Sequence, residues 1–414
     1  MPTETDLIHD WNGPELPPGT KVEFDDETLR DGLQSPSVTI PSLEEKLEIL
    51  HLMNDLGIHT ADIGLPAAGP WAKDAVRSLA KEIRDGKLAI KANCAARTVI
   101  GDVQPILDVS QEIGIPIEAC VFIGSSEIRR YAEDWDIDRM QKHTEDAVRF
   151  CVENDLPVMY VTEDTVRAKP ETVKRLYTAA IRAGAPRVCV CDTVGHATPA
   201  GAYNLVTFVK KEVIEPLGVD VKIDWHGHRD RGLDLPNALA AIKAGASRVH
   251  GTALGIGERC GNLPMDILLV NLKLMGVISN DLRKLPEYCR KVSEYCRVPI
   301  PRNYPAVGSD AFETATGVHA AAVIKALKKG DRWLADRVYS GVPAAELGLA
   351  QKIGVGPMSG KSNVVYWLET QGVAPDDALV AEIFNLAKTT SRVLTDDEMR
   401  AAVKAHREKS AAPR

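Results

Sequence analysis

The chain has 414 residues, 44% of them hydrophobic and 26% charged, with a formal net charge of −8 at pH 7. That is enough for a large core, and it fits one domain of ~250 residues with a smaller second one. The acidic balance gives no support to nucleic-acid binding, which favours basic faces, and no apolar run approaches the ~18 residues of a membrane span.

Met1 to Thr20 form a polar, Pro-rich extension without the basic start and apolar run of a signal peptide. From residue 20 the chain alternates strand-like and helix-like segments. The first strand is expected over Lys21–Glu27. A helix over Leu43–Leu56 follows, opened by Ser42 with Glu45 three residues later and stopped by Gly57. Thr60–Leu65 then pairs as a strand with the helix Trp71–Ile83, and Leu88–Ala92 with Val103–Ile113. The same unit recurs as Ile117–Ile123 with Ile137–Asn154, Pro157–Thr162 with Thr172–Ala183, and Arg187–Cys191 with Ala202–Val213. Val221–Trp225 with Leu235–Ala244 and Arg248–Thr252 with Met265–Leu274 complete the series.

Near-equal strand–helix units of this kind need an open doubly wound sheet or a closed barrel. No glycine-rich dinucleotide turn follows the first strand, which favours an α/β (β/α)8 TIM barrel over residues 21–280. Asp31, Glu163, Asp192, His226 and His228 fall at or just past strand ends, which in a barrel meet at one mouth. Residues 281–414 read as a smaller, mainly helical region: helices over Leu285–Tyr295, Phe312–Lys328, Asp377–Thr389 and Asp396–Lys409, a glycine-rich turn at Gly354–Lys361, and a frayed tail from Ser410 to Arg414. The eight cysteines contain no Cys-x-x-Cys pair, which points to reduced thiols in a cytoplasmic protein.

Alternation along a strand puts His226 and His228 on one side, where two imidazoles suit one metal. Asp31 adds a hard oxygen and Asn262 an amide oxygen; mixed nitrogen and oxygen donors suit Mg, Mn or Zn. Taken singly, each has a plainer reading: the histidines as a satisfied polar pair, Asp31 as the partner of Arg30 in a turn.

Together the motifs narrow this. Thr28-Leu29-Arg30-Asp31-Gly32-Leu33-Gln34, Asp192-Thr193-Val194-Gly195, His226-Gly227-His228 and Gly255-Ile256-Gly257-Glu258-Arg259-Cys260-Gly261-Asn262 resemble the signatures of the metal-dependent Claisen-condensing barrels. These are the 2-isopropylmalate and homocitrate synthases, with HMG-CoA lyase a more distant relative. Ala315-Thr316-Gly317-Val318-His319 and Met358-Ser359-Gly360-Lys361 extend the resemblance to the C-terminal region. It implies that acetyl-CoA is joined to the carbonyl of a 2-oxo acid and that the thioester is then hydrolysed. It assigns the metal to Asp31, His226, His228 and Asn262. Arg30 would stabilise the oxyanion and Glu163 would belong to the base machinery. His319 and Tyr339 would act from the C-terminal region, often across a homodimer. Gln34 and Thr193 would hold substrate, and the loop with Gly257, Glu258 and Arg259 would approach the coenzyme.

The chain departs from the family pattern at three places. Arg229 stands where an Asn is usual, an Arg falls in Gly124–Arg130 where isopropylmalate synthases often have His, and Asp62 replaces a usual Glu. Arg129, Arg130 and Arg229 therefore imply a substrate with a second acidic group, Arg130 being first choice for holding it. The plainer reading pairs Arg129 and Arg130 with Glu127 and Asp134 at the surface. Two other functions stay open: a lyase of the HMG-CoA type, and an inactive barrel serving as a binding subunit. His250 receives no role.

Overall fold

The computed structural model describes residues 7–411. The first six residues of the N-terminal extension and the last three of the tail lie outside the described residues. Among those described, eight parallel strands close into a barrel in sequence order, with β1 hydrogen-bonded to β8. They are β1 (Glu23–Asp26), β2 (Thr60–Asp62), β3 (Lys91–Arg97), β4 (Ile117–Gly124), β5 (Val158–Glu163), β6 (Arg187–Asp192), β7 (Lys222–Gly227) and β8 (Arg248–Gly251). The expected (β/α)8 barrel is the fold.

Local chemistry sets the elements as read. Helix α1 (Leu43–Asp55) opens with the reciprocal cap: Ser42 Oγ accepts from the Glu45 N–H and Glu45 Oε2 from the Ser42 N–H. Gly57, at φ 72°, turns the chain out of that helix into β2. Helices α2 (Pro70–Asp85), α3 (Ile100–Ile113), α5 (Ile137–Glu153), α6 (Pro170–Arg182), α8 (Asp234–Ala244) and α9 (Met265–Leu274) occupy the expected places.

Three differences have physical reasons. The third strand is Lys91–Arg97 rather than Leu88–Ala92; its Ala92 to Ala96 are all buried small residues, and small side chains carry no β-branched signal. Helix α4 (Glu127–Glu133) was not expected because none of its residues is buried, so it shows no apolar period; Ser126 caps it. Helix α7 stops at Phe208 (Pro199–Phe208), and residues 209–214 continue as a wider π turn.

Beneath the barrel mouth the interior is ionic rather than aliphatic. Arg248 Nε donates to Asp224 Oδ2 and its Nη2 to Glu118 Oε2, both at 2.6 Å. Arg187 Nη1 donates to Asp224 Oδ1 at 2.6 Å. Asp25 accepts from Thr60 and Asn93. Two cations and three acids in one buried layer are close to neutral, which is how such a floor is tolerated.

The chain forms two compact units. The first is residues 1–280 with 287–299; the second is 281–286 with 300–414. The sequence reading divided the chain once, at 280. The returning stretch lies in helix α10 (Leu285–Cys296), where buried Tyr288 hydrogen-bonds Asp26 and Thr28 and so belongs with the barrel. The second unit holds helices α11 (Gly317–Lys328), α12 (Arg332–Arg337), α13 (Lys361–Thr370), α14 (Asp377–Thr389) and α15 (Asp396–Ala411), with a two-stranded sheet of 313–314 and 352–353. Val355, Val364, Trp367, Leu368, Leu379 and Ile383 make its core. Among the described residues no helix is long and apolar enough to cross a membrane, and all eight cysteines are free thiols.

Candidate active site

A cavity of about 240 Å³ opens inside the first unit. Glu27, Arg30, Asp31, Gln34, Glu163 and Thr193 line it, together with His226, His228, His250 and Glu258. Leu65, Ala95, Phe122, Met159, Val161 and three cysteines supply an apolar wall. The sequence placed Arg30, Asp31, Gln34, Glu163, Thr193, His226, His228 and Glu258 there, and the fold brings them together because the strand ends converge.

His226 ends β7 and His228 follows it. Their Nε2 atoms lie 3.2 Å apart, and Asp31 Oδ2 is 3.5 Å from His226 Nε2 and 3.8 Å from His228 Nε2. Donors spaced in this way fit ligands ~2.0–2.2 Å from one shared centre. An antiparallel bridge sets Asn262 beside His228, and Asn262 Oδ1 is buried without a hydrogen-bond partner. A buried amide oxygen left unpaired next to two imidazoles and a carboxylate is a ligand in search of a cation. The set fits a divalent metal. Burial and the neighbouring His226 depress the His228 imidazole to about 4, so its ring is neutral at pH 7, the form that binds metal.

Arg30 is fixed by three partners. Its Nε donates to Asp62 Oδ2 at 2.6 Å, Nη2 to Glu27 Oε1 at 3.1 Å and Nη1 to Gln34 Oε1 at 3.3 Å. Burial tends to lower the guanidinium's proton affinity, but Asp62, Glu27 and Asp31 outweigh it and hold the charge firmly. Burial raises the Glu163 carboxyl, against the pull of Arg129 and Arg30. Thr193 Oγ1 accepts from the Asp164 N–H at 2.8 Å, and its carbonyl accepts from Arg259 Nη2 at 2.6 Å.

Arg129, Arg130 and Arg229 are not among the cavity-lining residues. Arg129 pairs with Glu133 at 3.2 Å and Arg130 lies 3.9 Å from Glu127. The stem of Arg129 passes over Gly124, whose strand register is opposite Glu163, so of the three it comes nearest the mouth on that side. Arg229 lies under the Gly255–Asn262 loop and donates its backbone N–H to Gly261. Arg259 is tied to Asp230 as well as Thr193, and Gly257 packs against Asn262. His319 and Tyr339 belong to the second unit, where their rings stack with centroids 4.2 Å apart and both are exposed.

Three residues were missed from sequence: Glu27, Asp62 and His250. Glu27 sits inside the first motif and Asp62 at the end of β2, so strand-end position was an available signal for both. His250 lies inside β8 among buried residues and gave none.

A profile described as HMGL-like matches residues 21–292. The chain belongs to the HMGL-like family. Among relatives of this member, a homocitrate synthase of Methanopyrus kandleri is 34% identical over 366 residues, which is 88% of this chain and 86% of that one. A probable 2-isopropylmalate synthase of the same organism is 32% identical over 371 residues, covering 89% and 69%. The HMG-CoA lyase of Bacillus subtilis superposes with a TM-score of 0.57 at 24% identity, over 68% of this chain and 96% of that one, a likeness in fold.

Proposed function

We propose that the protein condenses acetyl-CoA with a 2-oxo acid. The acetyl methyl carbon loses a proton and bonds to the ketone carbon; water then cleaves the thioester and frees coenzyme A. The observation that carries this reading is the convergence of Asp31, His226 and His228 on one point beside the fixed guanidinium of Arg30. The likeness to a homocitrate synthase along most of the chain supports it.

Asp31, His226, His228 and Asn262 would hold Mg, Mn or Zn. When bound, that cation supplies Lewis-acid polarisation of the ketone. Arg30 presents a preorganised cation to the oxygen that gains charge. Glu163 is raised by burial, which suits a carboxylate that accepts the methyl proton. Gln34 and Thr193 hold the oxo acid's polar end, and the loop with Gly257, Glu258 and Arg259 faces the coenzyme. His319 and Tyr339 are read as contributions to a neighbouring subunit's site in a homodimer; mixing Arg30→Ala and His319→Ala chains should then restore activity, and no recovery would reject the shared site. Eight free thiols support a reducing, cytoplasmic setting.

Leu65, Ala95, Phe122 and Val161 in the wall favour an oxo acid with a small uncharged tail. A second reading, an acidic tail held by Arg129, is favoured by the placement of that side chain beside Glu163. Arg129→Ala separates them: it leaves catalytic efficiency with 2-oxoisovalerate unchanged in either case, and lowers it with 2-oxoglutarate only in the second. The complete donor set argues against an inactive barrel.

A further inference from the structure

The histidine that sequence reading set aside closes a chain of contacts running from the proposed metal ligand to the barrel floor. His226 Nδ1 lies 2.8 Å from Glu27 Oε2, a charge contact rather than an aligned hydrogen bond. The other oxygen, Glu27 Oε1, is 3.1 Å from Arg30 Nη2 and 3.1 Å from His250 Nδ1. His250 Nε2 is 3.0 Å from Asp224 Oδ2, which Arg248 also holds. Glu27 and His250 are buried, and His226 nearly so.

Glu27, His226 and His250 offer three donor atoms within 4.8 Å of one another and so form a second possible metal cluster. It shares His226 with the first, but through the opposite ring nitrogen. Both His250 nitrogens and Glu27 Oε1 already have protein partners, which an ion there would have to displace. The group therefore reads as the support of the first cluster. Burial pushes the His250 ring down, but Asp25 and the hydrogen bonds to Asp224 and Glu27 outweigh that, and its charge is retained well above the ordinary range. Burial pushes the Glu27 carboxyl up, yet His226, Arg30 and His250 hold it well below the ordinary carboxylate range.

We infer that Glu27 is a positioning residue, held in place by His250, which fixes the tautomer of His226 and the orientation of Arg30 with a single carboxylate. A neutral imidazole has one N–H and one lone pair, and a neighbouring anion decides which nitrogen carries the proton. With Glu27 at Nδ1, the proton sits there and the Nε2 lone pair faces Asp31 and His228. Without the anion, part of the population presents an N–H to the place where the ion must sit. Because Arg30 leans on the same carboxylate, loss of Glu27 disturbs two catalytic parts, whereas loss of His250 disturbs them only through Glu27. The inference rests on the metal reading above.

The test uses the full chain and Mn²⁺ alone. Free Mn²⁺ is followed by electron paramagnetic resonance during titration of wild type, Glu27→Gln and His250→Gln, each first shown to melt cooperatively. Both variants should bind ~10–100-fold more weakly than wild type. At saturating Mn²⁺, kcat should recover in His250→Gln and stay low in Glu27→Gln. Affinities within twofold of wild type would overturn the inference. The ¹⁵N-histidine spectrum of the metal-free wild type needs no variant: His226 protonated on Nδ1 supports the inference, and His226 protonated on Nε2 overturns it. Failure of wild type to bind Mn²⁺ would instead sink the metal reading, and the spectrum would still decide the role of Glu27.

Discussion

Replacing Arg30 with lysine keeps the charge and removes the geometry. The guanidinium uses three nitrogens for three partners, Asp62, Glu27 and Gln34, at 2.6, 3.1 and 3.3 Å. A lysine ammonium is one point on a flexible stem and can serve one carboxylate at a time. The lost charge-assisted contacts are each worth about 1.5–3 kcal/mol, and Asp62, 1% exposed, is left poorly paired. The larger effect is on the reaction. Removing one preorganised donor from a developing oxyanion typically costs about 10²–10³ in kcat. Arg30→Lys should therefore lower kcat by that factor, with KM for the oxo acid changing only several-fold. Release of coenzyme A, followed with a thiol reagent, measures both. The double variant Asp62→Asn/Arg30→Lys should recover stability, because the orphaned carboxylate is gone, while kcat stays low. A single Arg30→Lys variant with kcat within about threefold of wild type would refute the role assigned to this side chain.

Two further outcomes follow from buried charge. Burial raises the Asp26 carboxyl to about 7 against its hydrogen bonds to Thr28 and Tyr288. The folded chain therefore keeps that proton between about pH 4 and 7 while the unfolded chain releases it, so this group's contribution to stability falls as pH rises through that window and is level above it. Asp26→Asn mimics the protonated form. Its Tm advantage over wild type should grow from pH 5 to pH 8, with an upper limit on the order of 4 kcal/mol; an equal difference at both pH values would contradict this. Arg248→Met removes the shared partner of Asp224 and Glu118 from the barrel floor, and breaking such a buried set costs about 3–5 kcal/mol. A thermal midpoint unchanged from wild type would show that Arg187 compensates.

The fold was legible because seven of the eight strands carry apolar runs bounded by clear helix starts. The third was displaced because Lys91–Arg97 is built of alanine and cysteine, which fill a barrel interior without looking like a strand. At the site, residues at strand ends were readable one by one, and the metal-type donors converge as alternation along β7 requires. Arg129 and Arg130 were harder: a charged run cannot reveal that α4 forms there and gives each arginine a neighbouring acid. Asp62 and His250 act through Arg30 and Glu27, and such partners become visible only when separate strands meet.

The most direct measurement of the proposed reaction is coenzyme A release by the purified protein with acetyl-CoA and a divalent cation, across pyruvate, 2-oxoisovalerate, oxaloacetate and 2-oxoglutarate. Condensation predicts thiol release that requires both substrates, with a product heavier than the oxo acid by the acetyl group and one water, and with the uncharged oxo acids turned over best. No release with any oxo acid, together with cleavage of a 3-hydroxyacyl-CoA under the same conditions, would contradict it and make the protein a lyase.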